Sequence, residues 1–204
     1  MKWIDALHNA RVHQRRTRIL AETAAGMLPA NLRILDVGCG DGLFAALLSG
    51  LRPDLKVEGA EVLPRAGCRI PVVAFDGNDL PFPAGSFGAC LLIDVLHHTL
   101  SPAELLAEAS RVGSGLVLIK DHLREGFAAR ACLRFMDEVG NRRHGIALPF
   151  NYLNSDDWRR VFADSGVGAV ERDPLSGLYP FPANLVFGRR LNFMALLKAN
   201  APAA

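Results

Sequence analysis

The feature that most constrains the fold of this chain is a short apolar run that ends in a glycine-rich turn and leads into a helical segment. Residues 33–37 have the length and apolar character of a buried strand, and residues 43–48 form an apolar run typical of a helix. Between them stand Gly38, Gly40 and Gly42. Such glycines let the backbone approach a ligand closely, and the first turn of the next helix offers free amide groups. The sequence therefore predicts a strand, turn and helix that bind a polar or anionic ligand.

The alternation of apolar runs and helical segments continues along the chain. Further strands are predicted at residues 56–62, 72–75, 89–93, 115–119, 167–171 and 191–197. Helices are predicted at residues 4–27, 102–112 and 155–165 and over part of residues 124–145. We expect Ser101 and Ser155 to cap the helices that they precede or begin. Strands that alternate with helices indicate an α/β fold, with a parallel sheet and helices on both faces.

Length and composition favour one domain. The chain has 204 residues, of which 50% are hydrophobic and 22% charged, close to an average globular composition. We expect a single domain over residues 1–204, with an N-terminal helical cap (1–30), a cofactor-binding half (31–120), and a substrate-side insertion followed by the C-terminal strands (121–204). A net charge of +2 is too small to indicate a nucleic-acid surface, so no nucleic-acid partner is expected.

The cysteines and the apolar runs bear on the compartment. The four cysteines are widely separated and form neither a metal-binding pair nor a disulfide framework, so no metal is predicted and a cytoplasmic location is expected. No apolar run approaches the roughly 18 residues that a membrane helix needs, so no membrane span is expected. A homodimer is compatible with the sequence.

Acidic residues stand at the ends of three successive predicted strands. Asp36 ends the first, Glu61 ends the second, and Asp76 follows the third. Glu61 lies 23 positions after Gly38, close to the roughly 20 expected of an acid that holds the hydroxyls of a ribose. An isolated aspartate before a glycine more often caps a turn. Three acids at one edge of a sheet instead predict a ligand that carries a ribose.

These residues resemble a known family. Residues 34–42 resemble the first signature of the class I methyltransferases that use S-adenosylmethionine, and Glu61 is similar to their ribose-binding acid. Asp76, with the Leu-Pro-Phe at 80–82, resembles their adenine-binding segment. The resemblance implies a Rossmann-like, doubly wound sheet of seven strands, mostly parallel with the last strand antiparallel. It also implies S-adenosyl-L-methionine as cofactor, bound by Asp36, Gly38, Cys39, Gly40, Glu61, Val62, Asp76, Gly77 and Ile93.

Candidate catalytic residues follow the predicted fourth and fifth strands. A methyl sulfonium is already activated, so the enzyme must mainly hold the acceptor in line with the methyl group and, for a hydroxyl acceptor, remove a proton. His122 is the leading base candidate because Asp121 can orient a nearby imidazole. Asp94, His97 and His98 after the fourth strand are further candidates, and for the two histidines a structural role or a role in shaping the cofactor site is the alternative. His144 and Arg142 are candidates for binding an anionic acceptor.

Three functions remain open at this point. The first is methyl transfer to a small-molecule acceptor, because residues 94–96 lack the paired prolines expected of enzymes that methylate the amino groups of nucleic-acid bases. The second is a non-catalytic protein that binds S-adenosylmethionine or serves as a partner subunit. The third is an NAD-dependent oxidoreductase, which the absence of a third motif glycine at Leu43 disfavours.

Overall fold

The computed structural model of the protein describes residues 2–141, 150–181, 183–188 and 190–200. Seven strands are Arg33–Val37 (β1), Lys56–Glu61 (β2), Val72–Ala74 (β3), Ala89–Ile93 (β4), Leu116–His122 (β5), Val167–Asp173 (β6) and Asn192–Ala199 (β7). The α-helices are Lys2–Met27 (α1), Leu43–Leu51 (α2), Pro102–Val112 (α3), Ala129–Asn141 (α4), Ser155–Asp164 (α5) and Ala183–Phe187 (α6). Residues Leu96–His98 form a short 3-10 helix.

The strands form one seven-stranded sheet in the order β3-β2-β1-β4-β5-β7-β6. Strands β1 to β5 pair in parallel, and β7 runs antiparallel to both β5 and β6. This confirms the predicted Rossmann-like sheet, mostly parallel with the last strand antiparallel. The strand order reverses between β1 and β4, and open α/β sheets bind their ligands at the carboxyl ends of the strands at such a point.

Apolar residues cover both faces of the sheet. Helices α1 and α2 share one core cluster with side chains from β1 and β4, including the buried Leu48 and Leu91. Helices α3 and α5 share a second cluster with the opposite faces of β4 and β5, centred on the buried Leu106 and Trp158. Helices therefore lie on both faces, as the alternation of elements predicts.

Strand β5 is longer than the sequence indicates. The apolar run predicts a strand that ends at Ile119, whereas the structure continues the strand through Lys120, Asp121 and His122. These three residues pair with Met194, Phe193 and Asn192 of β7. Backbone pairing to a neighbouring strand does not depend on apolar side chains, so the ladder carries three polar residues into the interior.

Two predicted helix caps are wrong. The side chain of Ser101 makes no capping hydrogen bond to α3. Helix α5 is capped by Asn154 rather than by Ser155, because the side chain of Asn154 accepts hydrogen bonds from the backbone amides of Asp156 and Asp157. Asparagine and serine are similarly favoured at this position, so the sequence alone left the register of the cap open.

The long connection between β6 and β7 packs against the rest of the fold. It contains the short helix α6, which the sequence did not predict, and its Leu175 and Leu178 are buried in the cluster formed by α1 and α2. Arg15 of α1 also donates to the carbonyl oxygen of Gly177 at 3.4 Å. Among the described residues, no helix is long and apolar enough to cross a membrane. The candidates Arg142 and His144 lie outside the described residues.

Candidate active site

The glycine turn after β1 fits tightly against the end of β4. Gly38 has φ 72°, a left-handed conformation that glycine adopts without strain, and its amide donates to the carbonyl oxygen of Ala60 at 2.7 Å. A Cβ atom at this position would lie 2.7 Å from Cγ2 of Val95. The turn can therefore approach the end of β4 only with glycine at position 38.

Glu61 fastens the same turn from the neighbouring strand. Its Oε2 accepts from the amide of Gly40 at 2.8 Å, and its Oε1 accepts from the amide of Val62 at 2.9 Å. A carboxylate has about four lone-pair positions, so these bonds leave capacity for a ligand hydroxyl. The half-buried acid predicted to bind ribose thus also links the ends of β1 and β2.

Asp36 is a buried carboxyl at the end of β1, with 2% of its surface exposed. Burial raises its pKa from 3.8 to about 8, and the negative charge of Glu61 adds to that rise. A buried carboxylate is costly unless a positive group compensates it. Asp36 is therefore placed to gain from a cationic ligand at this edge of the sheet.

The segment after β3 completes the cofactor edge. Oδ1 of Asp76 accepts from the amides of Asn78 and Asp79, both at 2.8 Å, and these bonds lower the pKa of Asp76. A Cβ on Gly77 would lie 3.5 Å from the side chain of Val62, so this exposed turn sits beside the end of β2. Asp76 caps its own turn, as isolated aspartates commonly do, while standing next to the other two acidic strand ends.

Cys39 and Ile93 occupy the floor of this edge. Cys39 is buried, and a Cβ on Gly59 would lie 2.5 Å from its sulfur, so the thiol fills the space beside β2. Burial, with the charge of Asp36 next, raises the pKa of the Cys39 thiol. Cys39 therefore packs as a neutral side chain, and Ile93 ends β4 half-buried. The structure brings the predicted cofactor residues together at the carboxyl ends of β1 to β4.

A network of ion pairs lies beyond the end of β4. Asp94 has φ 59°, a conformation that is uncommon for a residue other than glycine. One carboxylate oxygen contacts Arg16 of α1 at 2.6 Å, and the other accepts from the ammonium of Lys120. Lys120 is fully buried and also donates to Oδ1 of Asn192 at 2.8 Å. Sequence reasoning missed Arg16, Lys120 and Asn192 because they are distant in sequence and carry no motif.

The network shifts the pKa values of its members in opposite senses. Burial raises the pKa of the Asp94 carboxyl, but the charges of Arg16 and Lys120 outweigh burial, and the pKa lies well below its ordinary value. Burial lowers the pKa of Lys120 to about 8, although the charge of Asp94 opposes that change. Asp94 is therefore ionised over the whole neutral range and is a weak proton acceptor.

Asp121 lies against the imidazole ring of His97. Its Oδ1 lies 2.7 Å from Nδ1 of His97, and both side chains are buried. The same oxygen accepts from the backbone amide of His122 at 2.6 Å. Burial raises the pKa of Asp121, but the interaction with His97 outweighs burial and lowers it.

The other two imidazoles surround His97. The ring of His98 is half-buried and lies 4.0 Å from that of His97, centroid to centroid. The ring of His122 is buried, and its Nε2 lies 3.8 Å from Oδ1 of Asp94. Tyr152 lies 5.9 Å from the ring of His122. The three histidines therefore form one group at the ends of β4 and β5, beside the cofactor edge.

Three side chains of this group have atoms that are also common metal ligands. One such atom from each of Asp94, His97 and His122 lies within 4.8 Å of the others. However, Arg16 and Lys120 each hold an oxygen of Asp94. A divalent cation would have to enter beside two positive charges, so we assign this cluster to ion pairing.

Comparison with known proteins gives a family match. A family model described as a methyltransferase domain matches residues 8–171, more than three quarters of the chain. An uncharacterised methyltransferase of Mycobacterium sp. (strain JLS) is 35% identical over 100 residues, which are 46% of this chain and 39% of the relative. The 27-O-demethylrifamycin SV methyltransferase of Amycolatopsis mediterranei (strain S699) is 31% identical over 132 residues, 54% of this chain and 48% of the relative. The chain spans about two fifths to three fifths of the length of the curated relatives it matches.

Solved structures share the fold at low sequence identity. A chain from the complex of the Haloferax volcanii Trm112 methyltransferase activator with a methyltransferase superposes with a TM-score of 0.74 at 16% identity, covering 98% of this chain and 97% of that one. CalO1, a methyltransferase of calicheamicin biosynthesis solved in its SAH-bound form, superposes with a TM-score of 0.64 at 19% identity, covering 97% of this chain and 56% of that one.

Proposed function

Because the chain belongs to the class I methyltransferases that use S-adenosylmethionine, we propose that it transfers the methyl group of this cofactor to a small-molecule acceptor. One observation supports the proposal above all: the carboxylate of Glu61, at the end of β2, accepts a hydrogen bond from the amide of Gly40 in the glycine turn, and the buried Asp36 lies at the same edge of the sheet. This arrangement offers backbone amides, a ribose-binding acid and a site for a positive charge on one edge of the sheet.

The cofactor would lie across the carboxyl ends of β1 to β4. Glu61 would accept hydrogen bonds from the ribose hydroxyls, and Asp76 and Gly77 would border the adenine. Asp36 would face the positively charged amino group of the methionine portion, directly or through water. The remaining proposed contacts are the backbones of Gly38, Cys39, Gly40, Val62 and Ile93. The histidine group at the ends of β4 and β5 lies beside this edge and would border the bound cofactor.

The acceptor would be held beside that group for an in-line displacement. Transfer of the methyl group from sulfur to the acceptor requires close positioning and, for a hydroxyl, loss of its proton. Asp94 is a poor base because its pKa lies well below the ordinary value. We therefore propose that an imidazole ring accepts the proton of the acceptor hydroxyl, with His98 and His122 as candidates. Asp121 acts as a positioning residue through His97, which packs against both rings.

The nature of the acceptor rests on the composition and on the relatives. The net charge of +2 offers no extended surface for nucleic acid, and residues 94–96 lack paired prolines. One relative is named for methylation of a rifamycin, and one structural neighbour acts in calicheamicin biosynthesis. We propose that this chain likewise acts on a small organic acceptor. We also propose that residues 1–204 form a single domain and that the protein is located in the cytoplasm.

A non-catalytic protein that binds S-adenosylmethionine is the second candidate function. It is favoured by one observation, namely that Arg16 and Lys120 already hold both oxygens of Asp94. An ion-paired acceptor side would suit a sensor or a partner subunit. Incubation with S-adenosylmethionine and a library of small phenols, alcohols and amines distinguishes the two functions, because only an enzyme yields products heavier by one methylene unit in mass spectrometry.

The cofactor site is tested by calorimetric titration with S-adenosylmethionine and, separately, with NAD. We expect S-adenosylmethionine to bind and Glu61→Gln to weaken binding by roughly 10- to 150-fold, since a hydrogen bond to a charged group contributes about 1.5 to 3 kcal/mol. Asp76→Ala should also weaken binding. Glu58→Gln is the matched control, because Glu58 lies on the same strand and pairs with Arg33 at 2.8 Å. Binding of NAD alone, or equal affinities of the Glu61 and Glu58 variants, would refute the assignment.

A further inference from the structure

Two cysteines that are far apart in the sequence meet beside the glycine turn. Cys39 belongs to that turn, and Cys68 belongs to the connection between β2 and β3. A Cβ atom on Gly42 would lie 3.0 Å from the sulfur of Cys68, and one on Gly59 would lie 2.5 Å from the sulfur of Cys39. The side chain of Ile70 borders both positions, at 3.0 Å and 3.1 Å. Both sulfurs therefore lie between the glycine turn and the β2–β3 connection.

Hydrogen bonds hold these two segments together on either side of the cysteines. The backbone amide of Arg69 donates to the carbonyl oxygen of Asp41 at 3.1 Å, and the guanidinium of Arg69 pairs with the carboxylate of Asp41. The amide of Gly59 donates to the carbonyl oxygen of Pro71 at 2.8 Å. Arg69 directly follows Cys68, so the contact between the two cysteines is fixed by the backbone around them.

The surroundings of Cys39 disfavour its charged form. Burial is the main cause of the raised pKa of the Cys39 thiol, the charge of Asp36 comes next, and Cys68 adds to the rise through its charge and a side-chain hydrogen bond. A stabilised thiolate makes a disulfide easy to reduce, and Cys39 lacks that stabilisation. A disulfide would place no charge beside Asp36 and Glu61. Cys68 is only half-buried, so a small oxidant can reach its sulfur.

We propose that Cys39 and Cys68 form a reversible disulfide that lowers the affinity of the protein for S-adenosylmethionine. Both residues are reduced and unlinked in this structure. Disulfides that form in reducing compartments are usually transient and often serve in redox sensing. The inference rests on the proposed placement of the cofactor at the glycine turn, and it depends neither on the acceptor nor on methyl transfer.

The oxidant would be a small-molecule disulfide such as oxidised glutathione. The thiolate of Cys68 attacks one sulfur of that molecule, and the other half leaves as a thiolate. Cys39 then attacks the sulfur of Cys68 and releases the second half. The two cysteines lose two electrons and two protons, and the small disulfide gains them and becomes two thiols. A small dithiol reverses the same steps.

The disulfide would disturb the turn because the residues beside Cys39 have little freedom to move. Bond formation brings the two sulfurs from non-bonded contact to about 2.05 Å, which draws Cys39 toward Cys68. Gly38 already fits against Val95 without room for a Cβ atom, and the amide of Gly40 donates to Glu61 at 2.8 Å. A shift of Cys39 between them would displace the backbone amides and the carboxylate that the cofactor needs.

Mass spectrometry and calorimetry of the full chain test this proposal. Reduced protein is incubated with oxidised glutathione, small molecules are removed, and the remaining thiols are blocked with N-ethylmaleimide. Masses of the intact and the digested protein then show whether Cys39 and Cys68 are joined. Reduced and oxidised protein are each titrated with S-adenosylmethionine. We expect the bond to form, the affinity to fall at least about tenfold, as for the loss of one hydrogen bond, and dithiothreitol to restore it.

Cys68→Ser is the decisive variant, because Cys68 is not among the proposed cofactor contacts. Its affinity in the reduced state should equal that of the unaltered protein, and oxidation should leave that affinity unchanged. Cys132→Ser, which changes a half-buried cysteine on α4, is the matched control and should respond to oxidation as the unaltered protein does. Circular dichroism checks that both variants fold.

Three results would overturn the proposal. They are a glutathione adduct that stays on Cys68, a bond between Cys39 and Cys68 without a change of affinity, and a loss of affinity on oxidation that persists in Cys68→Ser. Reduced protein that binds no S-adenosylmethionine would instead contradict the proposed cofactor site. In that case the masses of the oxidised protein would still decide whether the two thiols join.

Discussion

The cofactor side contains the buried Asp36 and the acceptor side contains the half-buried Asp94, and the two carboxyl groups are in opposite electrostatic states. Asp36 has a pKa raised to about 8, because burial and the negative charge of Glu61 both oppose its ionisation. Asp94 has a pKa well below the ordinary value, because Arg16 and Lys120 outweigh its burial. Asp36 lies near the end of β1 and Asp94 follows β4, and these two strands are neighbours in the sheet. What distinguishes them is the charge of the side chains that the fold brings against each.

Asp36 lies where a cationic ligand would be favourable, whereas Asp94 already lies beside positively charged side chains of the protein. On the cofactor side, burial and the charge of Glu61 both favour the neutral form of Asp36, so a cationic ligand bound there would favour its ionised form. The acceptor side compensates its carboxylate internally through residues from α1, β5 and β7. Removal of each aspartate should therefore change stability in opposite directions.

The largest expected effect is a loss of stability in Asp94→Asn. This change leaves the buried ammonium of Lys120 without its anionic partner, so the free energy of unfolding should fall by about 4 kcal/mol. Urea denaturation followed by circular dichroism measures the change. Glu58→Gln removes one partner of an exposed pair and should cost less than about 1 kcal/mol. Equal and small losses in both variants would show that Lys120 does not depend on Asp94.

An effect in the opposite direction, which grows with pH, is expected for Asp36→Asn. The folded protein raises the pKa of Asp36 above its ordinary value of 3.8, so the folded state binds this proton more tightly than the unfolded chain. The resulting stabilisation is fully present below about pH 3.8 and is lost as the pH rises to about 8. Asparagine stays neutral at every pH.

The stability difference between Asp36→Asn and the unaltered protein should therefore grow in favour of the variant from pH 5 to pH 8.5. An increase on the order of 4 kcal/mol follows from a pKa of 3.8 in the unfolded chain and about 8 in the folded protein. Urea denaturation of the ligand-free proteins at pH 5, 7 and 8.5 measures it. A difference that does not vary with pH would show that Asp36 is compensated in the folded state, as Asp94 is.

The smallest expected effect concerns the helix caps, where the compared residues are uncharged. Asn154→Ala removes the side chain that accepts two amides at the start of α5, so it should cost about 1 kcal/mol. Ser101→Ala should change stability by less than about 0.5 kcal/mol, because Ser101 makes no capping bond to α3. Thermal unfolding of the two variants measures both values. An equal loss in the two variants would contradict the cap assignment.

Much of the fold and of the cofactor site could be predicted from the sequence, because the relevant signals are local. Apolar runs and glycine turns indicate the strands and the fold class, and a parallel sheet places successive strand ends at one edge. Asp36, Glu61 and Asp76 each stand directly at such an end, so their proximity follows from topology. The cap at Asn154 and the extension of β5 to His122 could not be predicted. Both depend on hydrogen bonds that several neighbouring residues can make equally well.

The sequence by itself determined an α/β sheet, the family and a polar cofactor edge, since each depends on residues within a few positions of a strand end. Only the tertiary structure decided the acceptor side. Arg16 meets Asp94 across 78 positions, Lys120 meets Asn192 across 72, and Asp121 meets His97 across 24. Buried charges are stable only beside counter-charges, and their partners are set by packing in three dimensions rather than by spacing along the chain.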